Sequence, residues 1–372
     1  MLKDIFYLAF FFKIPDMKTI HLILLIFITA FFNGHIFCQD PNFSQLSSNK
    51  IYYNPAFVGA REGLEINLNF RKSWMNIPGS PQTTIAVFDK SFWNIKGIGG
   101  IGLMLMNNIE GAGSLSTLSL GIPISTRVRL TEKLLVQLAI SPQYQMKRID
   151  WDRLTFYDQL DPYFGKVLTQ SPGFQYDTEN TDSFFDLSYG ILFVYESYPG
   201  KRNEAWNSIV KAGLAVHHLP EPTMSFLGME YFLSSKFVVH VDGIFPLKKG
   251  YYRRDNYFLM PGFIYESQGA LNSMLIGLNF KRNPITGGIW LRNKNLNPSN
   301  ATDLIFLFGY QFPINNDGSS RVTVYYSYDA TVSDLNNHES GSHEIGITTN
   351  LDNFYIFNKC ESCKDDKWLI GK

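Results

Sequence analysis

Every second residue from 64 to 70 is apolar: Leu64, Ile66, Leu68 and Phe70, with Glu65, Asn67, Asn69 and Arg71 in the gaps. A two-residue period belongs to an extended strand with one apolar and one polar face. The pattern returns along the chain. Leu134, Val136, Leu138 and Ile140 share one side, opposite Lys133, Gln137 and Ser141. Phe185, Leu187, Tyr189, Ile191 and Phe193 stand opposite Asp186, Ser188 and Gly190. Met274, Ile276, Leu278 and Phe280 alternate with Ser273, Gly277, Asn279 and Lys281. Val322, Val324, Tyr326 and Tyr328 alternate with Arg321, Thr323, Ser327 and Asp329. Strand character is predicted over 61–73, 82–93, 97–106, 114–126, 133–147, 183–197, 207–219, 236–245, 256–267, 271–282, 286–293, 302–312, 320–329 and 342–351. That is about fourteen segments, and single-chain bacterial barrels use even numbers.

The amino-terminal region carries an export signal. His21 to Phe37 is mostly apolar and follows Lys18, so Met17 is the expected start and 1–38 the signal peptide. The apolar run is short for a membrane span, and no later segment is apolar enough to be a membrane helix. Cleavage after Cys38 would leave Gln39 first; a lipoprotein reading of Cys38 fits poorly, because His35-Ile36-Phe37 lacks the usual small residues. An exported chain of two-faced strands predicts an all-β transmembrane outer-membrane β-barrel of about fourteen antiparallel strands, apolar faces to lipid and polar faces to the lumen. A soluble β-sandwich also alternates, but the export signal and strand number favour the barrel.

Composition agrees. Charged residues are 18% of the 372, below the roughly 25% of soluble proteins. Aromatics reach 15%, with 31 Phe, 20 Tyr and 6 Trp, as lipid-facing girdles require. A formal net charge of zero gives no global field for nucleic acid.

The chain then divides into a periplasmic lead-in or plug at 39–60, broken by Pro41 and Pro55, a barrel at 61–352 and a periplasmic tail at 353–372. An even barrel with periplasmic termini places the longest connection, 149–182, outside, together with 293–302 and 330–341. Inner connections such as 94–96 and 283–285 are short, as periplasmic turns are. The inner connection 246–255 is basic, with Lys248, Lys249, Arg253 and Arg254, and reads as a solvated turn or a surface for a periplasmic partner.

Several motifs invite other chemistry. Gly97, Gly99 and Gly102 spell G-x-G-x-x-G, but the strand Leu103-Met104-Leu105-Met106 and a turn at Asn107-Asn108 and Gly111 follow where the dinucleotide fingerprint needs a helix. Ser342 and His343 are adjacent on a strand and point to opposite faces, so they cannot form a nucleophile pair. His217 and His218 at a strand end read as interface residues rather than ligands. Asp303 and Asp317, placed in loops, make no site. Cys360 and Cys363 fit a local disulfide in an oxidising compartment; a zinc site would need further ligands. Neither an enzyme nor a cofactor or metal site is expected.

More specific are the ends of the chain. Gln39-Asp40-Pro41-Asn42-Phe43-Ser44-Gln45 precedes Tyr53-Asn54-Pro55-Ala56-Phe57-Val58-Gly59, then Arg71-Lys72-Ser73-Trp74 and Ile77-Pro78-Gly79-Ser80-Pro81. Tyr328-Asp329, Ser333-Asp334-Leu335 and Ser340-Gly341-Ser342-His343-Glu344-Ile345 close the chain. Together these resemble the PorP/SprF family of type IX secretion system membrane proteins, from Gln39 to about Leu351. The resemblance implies a non-enzymatic outer-membrane barrel, related to gliding motility in some members. Its implied partners are periplasmic ring proteins, a peptidoglycan-associated lipoprotein and secreted adhesin cargo with a C-terminal sorting domain. A channel for small or hydrophobic solutes is the alternative, and a barrel-embedded lipid hydrolase a further one. The motif residues Asn54, Pro55, Phe57, Arg71, Trp74, Tyr328, Asp329, His343 and Glu344 are candidates for structure or partner contact, with closure of the last strands the first reading.

Overall fold

The computed structural model describes residues 40–92, 97–166, 181–197, 207–226, 229–248, 257–294, 301–315, 320–332 and 341–351. The barrel strands are β1 Leu64–Lys72, β2 Gln82–Ser91, β3 Ile98–Glu110, β4 Leu115–Gly121 continuing as Ile124–Arg129, and β5 Leu134–Arg148. Next come β6 Thr181–Glu196, β7 Ile209–His217, β8 Lys236–Lys248, β9 Tyr257–Gln268 and β10 Leu271–Arg282. The last are β11 Ile285–Lys294, β12 Ala301–Pro313, β13 Arg321–Thr331 and β14 Ser342–Leu351. Each pairs antiparallel with its sequence neighbours. β1 also pairs with β14, from Leu64 opposite Leu351 to Lys72 opposite His343, which closes the sheet. The result is a 14-stranded barrel without a free edge.

Alternation decides which face is which. Leu68 is 45% exposed and Phe70 38%, whereas Asn69 is 2% and Arg71 5% exposed. The same split separates Leu138 and Ile140 from Gln137 and Ser141, and Phe185 from Asp186 and Ser188. Apolar side chains that remain uncovered on β1 to β8 and β10 to β14 suit lipid, and the polar set faces inward.

Three expectations need correction. β3 runs on to Glu110 instead of stopping at 106. Asn107 and Asn108, read as a turn, belong to the strand: Asn108 accepts a hydrogen bond from Thr83 at 2.8 Å, and Asn107 accepts one from Ser116 at 3.0 Å. β4 is split at Ile122-Pro123, where proline has no N–H for the ladder. The inner face is not uniformly polar either. Ile85, Val87, Met104, Leu192, Trp290 and Ile305 are buried inward, because the lumen holds an apolar core.

That core comes from residues 40–60. They form one α-helical turn, Lys50–Tyr53, and a 3₁₀ turn, Pro55–Phe57, inside the barrel. Phe43, Leu46, Ile51, Tyr52, Tyr53, Phe57 and Val58 are buried against the wall. Each such side chain stabilises by roughly 1.5–3 kcal/mol when fully buried. Within the segment, Tyr53 Oη donates to the Phe43 carbonyl at 2.7 Å and Tyr52 Oη to the Pro41 carbonyl at 2.6 Å.

One rim carries the ends of β1, β5, β7, β9, β11 and β13 and the longest connection; we call it the loop end. The other, where β1 starts and β14 ends, is the turn end. The alternation of loop lengths is imperfect: β9 and β10 are joined at the loop end by Gly269-Ala270 alone. Asp40 stands at the loop end, where its N–H donates to Gln268 Oε1 at 3.0 Å. Leu351 stands at the turn end, opposite Leu64. Asp40 and Leu351 therefore stand at opposite rims.

Candidate functional site

The inward plug and the wall around it bring most of the motif residues together. At the loop end, Arg71 of β1, Arg292 of β11, Asp329 of β13 and Glu344 of β14 all point inward and meet Ser44. Arg71 reaches Asp329 at 2.7 Å and Glu344 at 3.0 Å. Arg292 reaches Asp329 at 3.0 Å and Asp303 at 3.3 Å. Ser44 Oγ accepts from both guanidinium groups at 2.7 Å and donates to Asp329 Oδ2 at 2.6 Å. Asp303, expected to make no site, joins this network from the start of β12.

Glu344 binds the plug backbone directly. Its carboxylate accepts from the N–H groups of Ser44 at 2.7 Å and Gln45 at 3.2 Å. It also accepts from Asn49 Nδ2 at 3.0 Å and Asn69 Nδ2 at 2.9 Å. Such charges are buried only when paired and hydrogen-bonded, as here. Strand closure and plug capture are one structure: β1, β13 and β14 supply the charges, and the plug supplies the hydroxyl and amides.

A second ionic group holds the first plug residue. His218, just past β7, bridges Asp186 at 2.7 Å and Asp40 at 2.9 Å. Burial alone would lower the His218 pKa; the Asp40 and Asp186 carboxylates override it and lift it to about 10. Burial would raise Asp40, but His218 and Lys236 hold it well below the usual carboxylate range. Lys236 pairs with Glu266 at 2.7 Å and lies over the Tyr52 ring, 4.7 Å from its centroid. His217 turns inward too, between Ser188 at 3.0 Å and the Tyr53 carbonyl at 3.2 Å. The two histidines face the plug rather than an external partner.

Midway down, Asn54 caps the 3₁₀ turn: its Oδ1 accepts from Ala56 N at 2.8 Å, and Pro55 takes the first position, where no N–H is needed. Its Nδ2 reaches the Ile191 and Leu214 carbonyls at 3.0 and 3.3 Å and His240 Nε2 at 3.0 Å. Phe57 packs on the same His240 ring, 4.9 Å between centroids. At the turn end the grip falls on the plug backbone, and Arg127 donates to the Gly59 carbonyl at 3.3 Å. Gly59 N donates to Asp89 at 2.7 Å, and the Val58 carbonyl accepts from Ser125 Oγ at 2.8 Å and from Gln137 Nε2. A Cβ on Gly100 would sit 2.5 Å from Gly59 Cα, so the glycine-rich start of β3 is where plug and wall touch backbone to backbone.

The remaining motif residues lie apart. Tyr328 and His343 face outward as a cross-strand pair, rings 5.0 Å apart, and His343 Nδ1 is 2.7 Å from Tyr326 Oη. Ser342 is buried on the inner face, away from His343. Trp74 sits beyond β1 with the Lys294 amine 5.8 Å from its ring centroid. Cys360, Cys363 and the basic stretch from Lys249 to Arg254 fall outside the described residues. Sequence reasoning missed Ser44, Arg292, Asp40, Asp186, His218, Lys236 and Glu266 as partners. For Arg292, Asp186, Lys236 and Glu266 the readable signal was charge at inward parity, as for Arg292 between Leu291 and Asn293.

The family model for the type IX secretion system membrane protein PorP/SprF matches residues 36–349. The chain belongs to the PorP/SprF family. No curated protein matches it in sequence. Among solved structures it is similar to the CymD monoaromatic hydrocarbon channel, at 11% identity and TM-score 0.43, covering 84% of this chain and 95% of that one. It is also similar to the Pseudomonas putida toluene transporter TodX, at 9% identity and TM-score 0.37, covering 85% and 98%. BamA from Haemophilus ducreyi lacking POTRA domains 1–3 follows at 8% and 0.37, covering 78% and 71%. The barrel assignment itself rests on the strand pairing of this PorP/SprF chain, and several motif residues, among them Ser44, Asn54, Arg71, Asp329 and Glu344, fasten the plug.

Proposed function

We propose that this protein is a non-enzymatic outer-membrane component of type IX secretion. In this reading it docks the periplasmic ring proteins and the peptidoglycan-associated lipoprotein, and supports surface attachment of adhesin-type cargo bearing a C-terminal sorting domain. The observation that carries the reading is the family match over residues 36–349. The filled lumen supports it. Plug residues hydrogen-bond to β1, β2, β4 to β9, β11, β13 and β14, which suits a scaffold better than a solute pore. The short turns and carboxyl-terminal tail would face the periplasmic machinery, and the longest connection would face outward.

Deletion of the gene tests the reading. Surface display of specific adhesin cargo is expected to be lost and to return with the wild-type gene, while other outer-membrane barrels assemble normally. Detergent extracts of the native protein should carry ring proteins or the lipoprotein with it. Undiminished cargo display in the deletion strain would sink the proposal.

A further inference from the structure

We propose that the outer wall holds a phosphate-bearing anionic lipid over the seam where β1 meets β14, with Lys72, His343 and Tyr328 on the headgroup. His343 and Tyr328 are motif residues that take no part in holding the plug. Lys72 lies opposite His343 across the closing pair, and His343 lies opposite Tyr328 across β13 and β14. All three share the outward face with Phe70, Ile345 and Tyr326, which stand two residues along on the same strands and are exposed. Strands lie about 4.8 Å apart, so Lys72 and Tyr328 flank His343 over roughly 10 Å.

The chemistry of this rung is that of an anion site. The Lys72 ammonium has no hydrogen bond or ion pair among the described residues. His343 Nδ1 is 2.7 Å from the Tyr326 hydroxyl, which leaves Nε2 for a ligand. The Tyr328 ring stands 5.0 Å from the imidazole and brings a second hydroxyl. The carboxylates next in sequence, Asp329 and Glu344, point inward to the plug. The flanking strands present Gln82 and Phe306 at this level, so no carboxylate there opposes an anion.

Below the rung the seam is apolar. Phe70 faces Ile345 and Leu68 faces Ile347, all four uncovered. From Lys72 down to Ile66 the strand covers about 20 Å, room for an acyl chain. Charge on the lipid side of a wall is tolerated at headgroup level, where tyrosines also gather. Lys72, the last residue of β1, stands at that level at the loop end. The outward cation of the turn end differs. Arg282 already lies over the Tyr257 ring, 5.4 Å from its centroid. A phosphate monoester offers acceptor oxygens and negative charge to the ammonium, the imidazole and the hydroxyl together. The apolar rungs beneath select a lipid over free phosphate.

The test uses the full-length protein in nanodiscs of phosphatidylcholine containing a minor share of phosphatidic acid. Native mass spectrometry then counts the phosphatidic acid that stays bound on release, and heat-modifiable gel migration confirms each barrel. The wild type is expected to retain phosphatidic acid. Lys72→Gln combined with His343→Gln should lower that retention by roughly tenfold, and Arg282→Gln should leave it unchanged. Equal retention by the double variant, or an equal loss in Arg282→Gln, would overturn the proposal. So would displacement of the lipid from the wild type by inorganic phosphate alone. Where the double variant does not fold, Tyr328→Phe keeps the ring and removes only the hydroxyl. It should lower retention by roughly two- to tenfold, and no change would overturn the proposal.

Discussion

The two ends of the plug are held by different physics. At the loop end Ser44, Gln45 and Asp40 are gripped by charged side chains from β1, β8, β11, β13 and β14, by the residue after β7 and by the Gln268 amide of β9. At the turn end Val58 and Gly59 are gripped mainly by hydrogen bonds to their backbone and by a backbone approach at Gly100 that admits no side chain. The first anchor joins wall charges to one another and to plug side chains and amides; the second sets wall side chains, Asp89 and Arg127 among them, against the plug backbone where no side chain fits at Gly100. Losing one charge at the top leaves the buried network unbalanced, whereas adding volume at the bottom pushes the plug off the wall.

That contrast sets the order of expected effects. Glu344→Ala is the largest. It removes one of the two carboxylates paired with Arg71 and the acceptor of the Ser44 and Gln45 amides, and breaking a buried ion pair costs about 3–5 kcal/mol. Denaturant unfolding in lipid vesicles measures it, and a loss under about 1 kcal/mol, the range of surface pairs, would erase the distinction between the ends. Gly100→Val should follow, at about 1–3 kcal/mol for overpacking, with protease sensitivity appearing near Gly59 rather than near Ser44. Asn54→Ala removes the cap between the two anchors and should lower stability by about 0.5–2 kcal/mol.

The pH response sharpens the comparison further. His218 is raised to about 10, so its stabilising charge is fully present below its ordinary value and is lost as pH rises through about 10. Asp40 is depressed, so its contribution is present above the ordinary carboxylate value and lost only in strong acid. His218 is faced by Asp40 and Asp186, with Lys236 and His217 nearby, and these keep the upper anchor closed at neutral pH. Raising the pH from 7 to beyond 10 should expose Asp40 to hydrogen exchange before Gly59. Exchange at both ends in step would show a single anchor. The smallest effect is expected outside the wall. Tyr326→Phe deletes the bond to His343 on the lipid-facing side and should change stability by about 0.5–1.5 kcal/mol at most.

Much of the wall was legible because its period is two. Leu64 to Phe70 named both faces of β1, and all fourteen strands fell near their expected spans. Where the pattern misled, a local rule gave way to the barrel. Asn107 and Asn108 look like a turn in isolation, yet β2 and β4 offer Thr83 and Ser116 as partners. Pro123 breaks a strand whose alternation runs across the break. The plug was less legible. Pro41 and Pro55 signalled irregular chain at 39–60, but nothing local says that Phe43 and Tyr53 fill a barrel whose wall lies up to 300 residues away. Arg71, Asp329 and Glu344 stood out through the family resemblance. Arg292 and His218 did not, because a single inward charge looks the same whether it meets water or a plug.

The account turns on one claim, that residues 40–60 fill the lumen of the wild-type barrel. Conductance of the purified wild-type protein in planar bilayers tests it most directly. A filled lumen should give silent membranes, with no steady ohmic steps at neutral pH. Stable, porin-like conductance from the wild-type chain would contradict the claim and return the channel reading to first place.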